Sequence, residues 1–183
     1  MNTASNVSAG KPKITGAIYA APLGTTLPTD TTTALNEAFK PLGYCSEDGL
    51  VNSTDLQSEN IKAWGGDTVL SVQTSRDDTF KFTLLEILNL DVCKFVYGND
   101  NVTGALDTGV TITVNNKEVD ERALVIDLIL RNNTAKRIVI PDGKLSDLGD
   151  INYVDNDAVG YETTMTCMPD ASGNTHYEYI KRA

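Results

Sequence analysis

A chain of 183 residues fits one domain and can bury a sizeable core without metal or disulfide staples. Apolar residues make up 40% and charged residues 22%, which excludes global disorder. A formal net charge of −10 excludes nucleic-acid binding through a basic surface, because acidic protein repels phosphate.

In chain order, residues 1–13 are small, polar and without period, and read as a mobile arm. They lack the apolar stretch of a secretory signal. "GAIYAAP" (16–22) is a short strand stopped by Pro22. Residues 23–60 read as a long, weakly structured excursion, and loops of that length often carry function. Within it, Asp30 or Thr31 is expected to cap a short helix over "TTTALNEAF" that Pro41 ends, and "EDG", with Glu47 and Asp48, suggests a turn. "ENIKAWGGDTVL" (59–70) holds the sole tryptophan beside a Gly-Gly-Asp break. Trp64 is expected to pack as an anchor where a connector enters a strand, with Gly65 and Gly66 letting the backbone bend.

From residue 67 the period sharpens. In "TVLSVQT" Leu70 and Val72 point one way and Ser71 and Gln73 the other. In "TFKFTLLE" Phe80, Phe82 and Leu84 alternate with Thr79, Lys81 and Thr83, and "SRDD" between the two runs predicts a hairpin turn. "LLEILNLDVCKFVYG" (84–98) is helical in pattern, with Leu85, Leu88, Val92 and Phe95 on a core-facing stripe and Gly98 as the stop. "GVTITVNN" (109–116) alternates as a strand. "ALVIDLILR" (123–131) is apolar on both faces, as a strand covered on both sides would be. "AKRIVIPDG" (135–143) ends in an expected turn at Asp142-Gly143, and 144–154 with 159–169 complete a hairpin around "DND". The tail from 170 to 183 is polar, and loose or docked on a neighbour. The pattern is mainly β, a sandwich or barrel with one flanking helix.

Residue types that carry chemistry are sparse. His176 is the only histidine and lies in the polar tail. Asp155, Asp157 and Gly160 have the spacing of a calcium loop, but Val159 and Thr166 fill positions that need oxygen-rich ligands. The carboxylate pairs sit in predicted turns. Cys45, Cys93 and Cys167 are odd in number and without a CxxC pair, which predicts free thiols in a reducing compartment. No catalytic residue, metal site or cofactor is expected.

Several segments, in order, resemble the major tail tube proteins of long-tailed, non-contractile phages. They are "MNTASNVSAGKPKITGAIYAAPLGTTLPTD", "ALNEAFKPLGYCSEDGLVNS", "SENIKAWGGDTVL", "VYGNDNVTG", "RIVIPDGKLSDLGDI" and "GYETTMTCMPDASGNTHYEYI". The resemblance implies one tail tube domain over 1–183. Six subunits would form a ring whose inner sheets join into a barrel, and stacked rings would form a tube through which DNA passes at ejection without specific binding. It implies self-association, contact with tail tip or initiator, tape-measure and terminator proteins, and no membrane. The subunit would reside in the virion tail and, before assembly, in the host cytoplasm. On barrel strands around 67–75, 79–85, 135–141 and 159–168, the polar positions Ser71, Gln73, Thr83, Glu162, Thr164 and Thr166 are expected to face the lumen. The 23–60 region, with Glu47 and Asp48, and the arm are expected to make stacking contacts. A β-sandwich ligand- or carbohydrate-binding module is the alternative reading, although aromatics are only 7% and scattered.

Overall fold

The computed structural model describes residues 2–13 and 17–182; Gly16 of the first predicted strand and the chain ends lie outside the described residues. The described elements are β1 (Lys11–Pro12), β2 (Ile18–Pro22), β3 (Lys40–Pro41), β4 (Cys45–Lys62), β5 (Thr68–Leu84), α1 (Leu90–Tyr97), β6 (Val102–Ala105), β7 (Gly109–Ile112), β8 (Arg122–Leu130), β9 (Thr134–Leu148), β10 (Tyr161–Cys167) and β11 (Tyr177–Lys181). One antiparallel sheet runs in the order β3-β2-β8-β9-β10-β5-β4, with β1 added to β8 and β11 to β9. β6 and β7 form a separate ribbon. The mainly-β expectation with one α-helix holds.

The sheet is covered along one face and, on the other, over β2, β8 and β9. On one face Phe80, Phe82, Leu124, Ile126, Ile140 and Met165 pack with Val92, Phe95 and Val96 of α1. On the other, Ala123, Val125 and Val139 lie under Phe39, with Leu27 and Leu35 from the 23–39 loop and Tyr177 and Tyr179 from β11 packed against them. Burial on both sides is why 123–131 reads as a continuous apolar run.

A buried ion pair fixes that second layer. Arg137 of β9 donates through Nε and Nη2 to both carboxylate oxygens of Asp127 on β8, at 2.6 and 2.9 Å. Its Nη1 donates to the carbonyls of Asp30 and Thr33 at 3.0 and 2.7 Å, pinning the loop. Asp30 organises its own turn by accepting from the amides of Thr32 and Thr33, and those bonds, Thr33's first, hold its carboxyl down at about 2. The predicted helix over 31–39 does not form. Asp30 spends its capping capacity on a local turn, and the arginine takes the carbonyls a helix needs.

Other expectations are corrected. The helix is shorter than 84–98. Glu86 accepts from the Tyr44 amide and from Asn89 Nδ2, both at 3.0 Å, and Asn89 then caps α1 by accepting from the Asp91 amide. Val92 and Phe95 are core, whereas Leu85 is half-buried outside the helix and Leu88 is 68% exposed. Residues 75–78 are strand rather than turn, and β9 runs on through Asp142-Gly143. The tail is not loose: Tyr177–Lys181 pairs with Ala135–Val139. The arm also docks, since Lys11 and Pro12 pair with Ile129 and Leu128, and Arg131 donates to the Ala4 carbonyl at 2.9 Å. The 144–148 and 161–167 pairing is the expected hairpin partnership.

Arg137→Met should destabilise the fold by about 3–5 kcal/mol, because it strands the Asp127 carboxylate in a dry site. The double variant Arg137→Met/Asp127→Leu should recover part of that loss. Urea denaturation of the three proteins measures both effects.

Candidate assembly surface

Sheet edge and hairpin are one structure. β4 and β5 form an antiparallel ribbon of 18 and 17 residues, paired from Cys45↔Leu84 to Lys62↔Thr68. Only the base of β5, from Asp78 to Leu84, also pairs with β10. Beyond it the ribbon leaves the body, reaching roughly 30 Å at a strand rise of about 3.4 Å per residue. The turn is "AWGGD" (63–67), closed by Ala63 N–H to the Asp67 carbonyl at 2.8 Å. Gly65 and Gly66 have φ of +112° and +101°, which side-chain-bearing residues resist, and that is the role of the Gly-Gly break. Trp64 sits at this tip, fully exposed, so the expected packing anchor has nothing in its own chain to pack on. Residues 45–60, expected as loosely structured, are most of a strand.

Two bulges decide which side chains share a face. The register steps from Gln57↔Ser75 to Ser58↔Gln73, leaving Thr74 as the extra residue, and again at Val69. Along regular β4, odd positions therefore stay on one face while their β5 partners change parity. Lys81, Thr79, Asp77 and Ser75 share that face with Val72 and Leu70. Ser71 and Gln73 pass to the other, with Arg76, Asp78 and Phe80. The expected lumen set is thus divided. Thr83, Glu162, Thr164 and Thr166 meet on the open face of β5 and β10, where Thr83 lies opposite Glu162. Ser71 and Gln73 lie on the projecting ribbon and on its opposite face.

The outer half of the ribbon is amphipathic. Ile61 lies directly opposite Leu70, with Val72 one pair further in. These three are 50%, 52% and 44% exposed. The reverse face carries Ser58, Asn60, Ser71 and Gln73. A two-stranded ribbon is marginal alone in water, and an uncovered apolar face makes it more so. Along its length β4 has no second neighbour among the described residues, which leaves a bare edge. Glu47 and Asp48 bulge outward at its base, where the register jumps from Cys45 to Leu50.

The base of the ribbon is tied down. Asp78 is fully buried and accepts from Thr54 Oγ1 at 2.5 Å, Thr175 Oγ1 at 2.5 Å and Arg76 Nε at 3.1 Å. His176, beside Thr175, sets its ring edge-on to Phe80 at 5.2 Å between centroids. The segment 170–181 therefore latches the ribbon to β9.

The open face of β5, β10 and β9 is polar and balanced. Lys81 pairs with Glu162 at 2.8 Å, and Lys144 with Glu118 at 3.1 Å. The hydrogen bond from Lys81 to Glu162 raises the lysine above its ordinary value. The three cysteines are unpaired. Burial pushes the Cys45 thiol up to about 11 and the Cys167 thiol up to about 12, so both are inert.

At the far end of the sheet, β2, β3 and α1 border a cleft. One part, about 280 Å³, is lined by Ala20, Pro22, Ala38, Leu42 and Phe95 with Lys94 and Arg122. An adjoining part, about 370 Å³, shares Pro22, Asn99 and Arg122 and adds Asp120 and Glu121. Arg122 donates from Nη2 to the Lys94 carbonyl, while its buried Nε has no partner among the described residues. Burial lowers Arg122 from its ordinary value, and Asp120 and Asp91 oppose that shift.

An open β edge, a bare apolar ribbon face and a covered core define a mainly-β structural subunit. The entire chain, residues 1–183, matches the family described as phage tail tube protein, and it belongs to that family. The chain is thus a structural component of the virion tail. It is similar to a chain in a cryo-EM structure of the anti-feeding prophage cap, the AFP tube terminating cap. Identity there is 10%, coverage is 99% of this chain and 98% of that one, and the TM-score is 0.42. None of the curated proteins matches the chain.

Of the residues that make this surface, sequence reasoning missed Ile61, Asp78 and Arg122. The hairpin itself was findable, because "AWGGD" is a short Gly-containing loop between two extended runs. Asp78 predicts a pH dependence. Burial pushes its carboxyl up, but hydrogen bonds from Thr175, Thr54 and Arg76 outweigh that and hold it at about 2 rather than 3.8. The fold therefore favours the ionised form. The resulting stability, roughly 2 kcal/mol, is complete above about pH 4 and is lost as pH falls through about 2. Urea midpoints measured between pH 5 and pH 2 should fall more for the wild type than for Asp78→Asn.

Proposed function

We propose that this subunit assembles into hexameric rings that stack into the tail tube, and that DNA passes through the bore during ejection. The observation that carries the reading is the projecting β4–β5 ribbon. Its edge and its Ile61, Leu70 and Val72 face are complete only against another protein surface, and in a tube protein that surface is a second copy. Edge-to-edge pairing of neighbouring sheets turns a bare edge, otherwise a liability, into the assembly contact.

The polar open face holding Thr83, Glu162, Thr164 and Thr166 is the part we assign to the bore. Its lysines, Lys81 and Lys144, each hold a carboxylate. Among the described residues of that face, both lysines are thus neutralised against phosphate, which suits a channel that DNA must leave quickly. Ser71 and Gln73, on the ribbon, belong with the inter-subunit contacts instead. Glu47, Asp48 and the docked arm are candidates for contacts between stacked rings. Tail tip or initiator, tape-measure and terminator proteins are the further partners, and the host cytoplasm is where the subunit waits. Its role is structural and not enzymatic.

The exposed Trp64 is the one feature that favours a carbohydrate-binding module. A platform for sugar rings uses neighbouring aromatics, and Trp64 is paired with none among the described residues.

Negative-stain microscopy with light scattering should show rings or hollow tubes for the concentrated wild type. Ile61→Lys/Leu70→Glu, whose opposite charges pair across the ribbon, should keep monomer stability within about 0.5 kcal/mol and abolish assembly. A wild type that stays monomeric and fails to add to isolated tail tips would sink the tube reading. For the bore, assembled wild type should not retain double-stranded DNA on a filter at low salt. Thr164→Lys/Thr166→Lys should retain it, with binding that weakens steeply as salt rises.

A further inference from the structure

We propose that Trp64 of one subunit seats in the cleft between β2 and α1 of a second copy, against the Arg122 guanidinium. The inference rests on the tube reading and adds a specific pair of contacts to it.

Trp64 is the sole tryptophan, and it is placed at the far end of a roughly 30 Å ribbon with its ring in water. A large aromatic held at such a tip is costly to leave uncovered and is the residue type most often found at the energetic centre of interfaces. The cleft offers what an indole needs. Its floor is apolar, from Ala20, Leu42 and Phe95, and the 280 Å³ part above them has room for one aromatic side chain. Arg122 sits on its wall with its guanidinium held in place by Nη2 donating to the Lys94 carbonyl and to Asn99 Oδ1, so its cationic face is a preset platform for an aromatic ring. Charge agrees as well. Lys62 and Asp67 flank the tip, while Asp120 and Glu121 stand on one side of Arg122 and Lys94 on the other.

Topology indicates that the contact is between copies. The ribbon ends the sheet at β4, and the cleft lies at the opposite end, beside β2 and β3. A tip from one end meeting a cleft at the other is a heterologous, head-to-tail contact. Such contacts close into rings or propagate as stacks.

The lone tryptophan reports its own burial. Emission and acrylamide quenching are read on dispersed and on assembled wild-type protein, with microscopy confirming the particles. We expect a blue shift and at least a several-fold loss of quenching on assembly. Ala38→Phe, which plugs the cleft and leaves the ribbon untouched, should remove both changes. Trp64→Ala should raise the concentration needed for assembly roughly tenfold or more, and Trp64→Phe should restore part of it. Because Trp64 is fully exposed, its variants keep the fold, and a urea midpoint equal to wild type checks that Ala38→Phe, beside the Phe39 layer, does so as well. Tubes in which Trp64 stays as quenchable as in the monomer would overturn the docking and leave the tube reading standing. Absence of any particle from the wild type, alone or on tail tips, would overturn both.

Discussion

The Arg137–Asp127 pair is the constraint around which the rest of the molecule is arranged. It is almost fully buried, between the two central strands, and a charge pair in that position is stable only when every polar atom is met. The carboxylate takes two guanidinium bonds, and Lys13 stands 3.6 Å away. The remaining guanidinium donor goes to two loop carbonyls. The pair thus joins β8, β9 and the 23–39 loop through Arg137, and the N-terminal arm through Asp127. With that layer in place the sheet is sealed on its second face over β2, β8 and β9, and only there. The uncovered remainder, over β5 and β10, is the polar face assigned to the bore.

The ribbon shows the opposite economy. Inside the body, β5 buries Phe80, Phe82 and Leu84 by strict alternation. Outside it, the bulge at Thr74 reverses parity, so Leu70 and Val72 emerge on the open side instead of continuing the core face. An added residue of this kind re-aims every side chain beyond it. The body therefore keeps its core, while the projecting half presents apolar side chains in the direction where only another molecule can cover them. The Asp78 cluster holds the hinge between the two halves. Two threonines and an arginine meet its buried carboxylate, and one of those threonines comes from the C-terminal segment. Residues 175–176 thereby brace the point at which the ribbon leaves the sheet.

Polarity on the open face follows a similar logic of cancellation. A net charge of −10 is global, but what DNA would meet in a bore is local. Threonines supply hydroxyls without charge, and Lys81 is held against Glu162 rather than left free. The cysteines fit a subunit without redox chemistry, since burial keeps their thiols protonated.

Much of the architecture was legible in the sequence, because period-2 alternation and a doubly apolar run are local consequences of burial. Residues 79–84, 123–130 and 161–167 are strands for that reason, and Val92 and Phe95 mark the helix. The site was legible only in part. Thr83, Glu162, Thr164 and Thr166 share a face as their alternation predicts. Ser71 and Gln73 do not, because a bulge leaves no mark in a two-residue period. "SRDD" looked like a turn, since a buried aspartate satisfied by a residue 97 positions away has no local signature. Composition and alternation by themselves determined a mainly-β, acidic chain, and its ordered segments carried the resemblance to tail tube proteins. Tertiary structure alone decided where strands ended, which way the ribbon faced and where Trp64 stood, because those depend on bulges, one buried ion pair and contacts between segments distant in sequence.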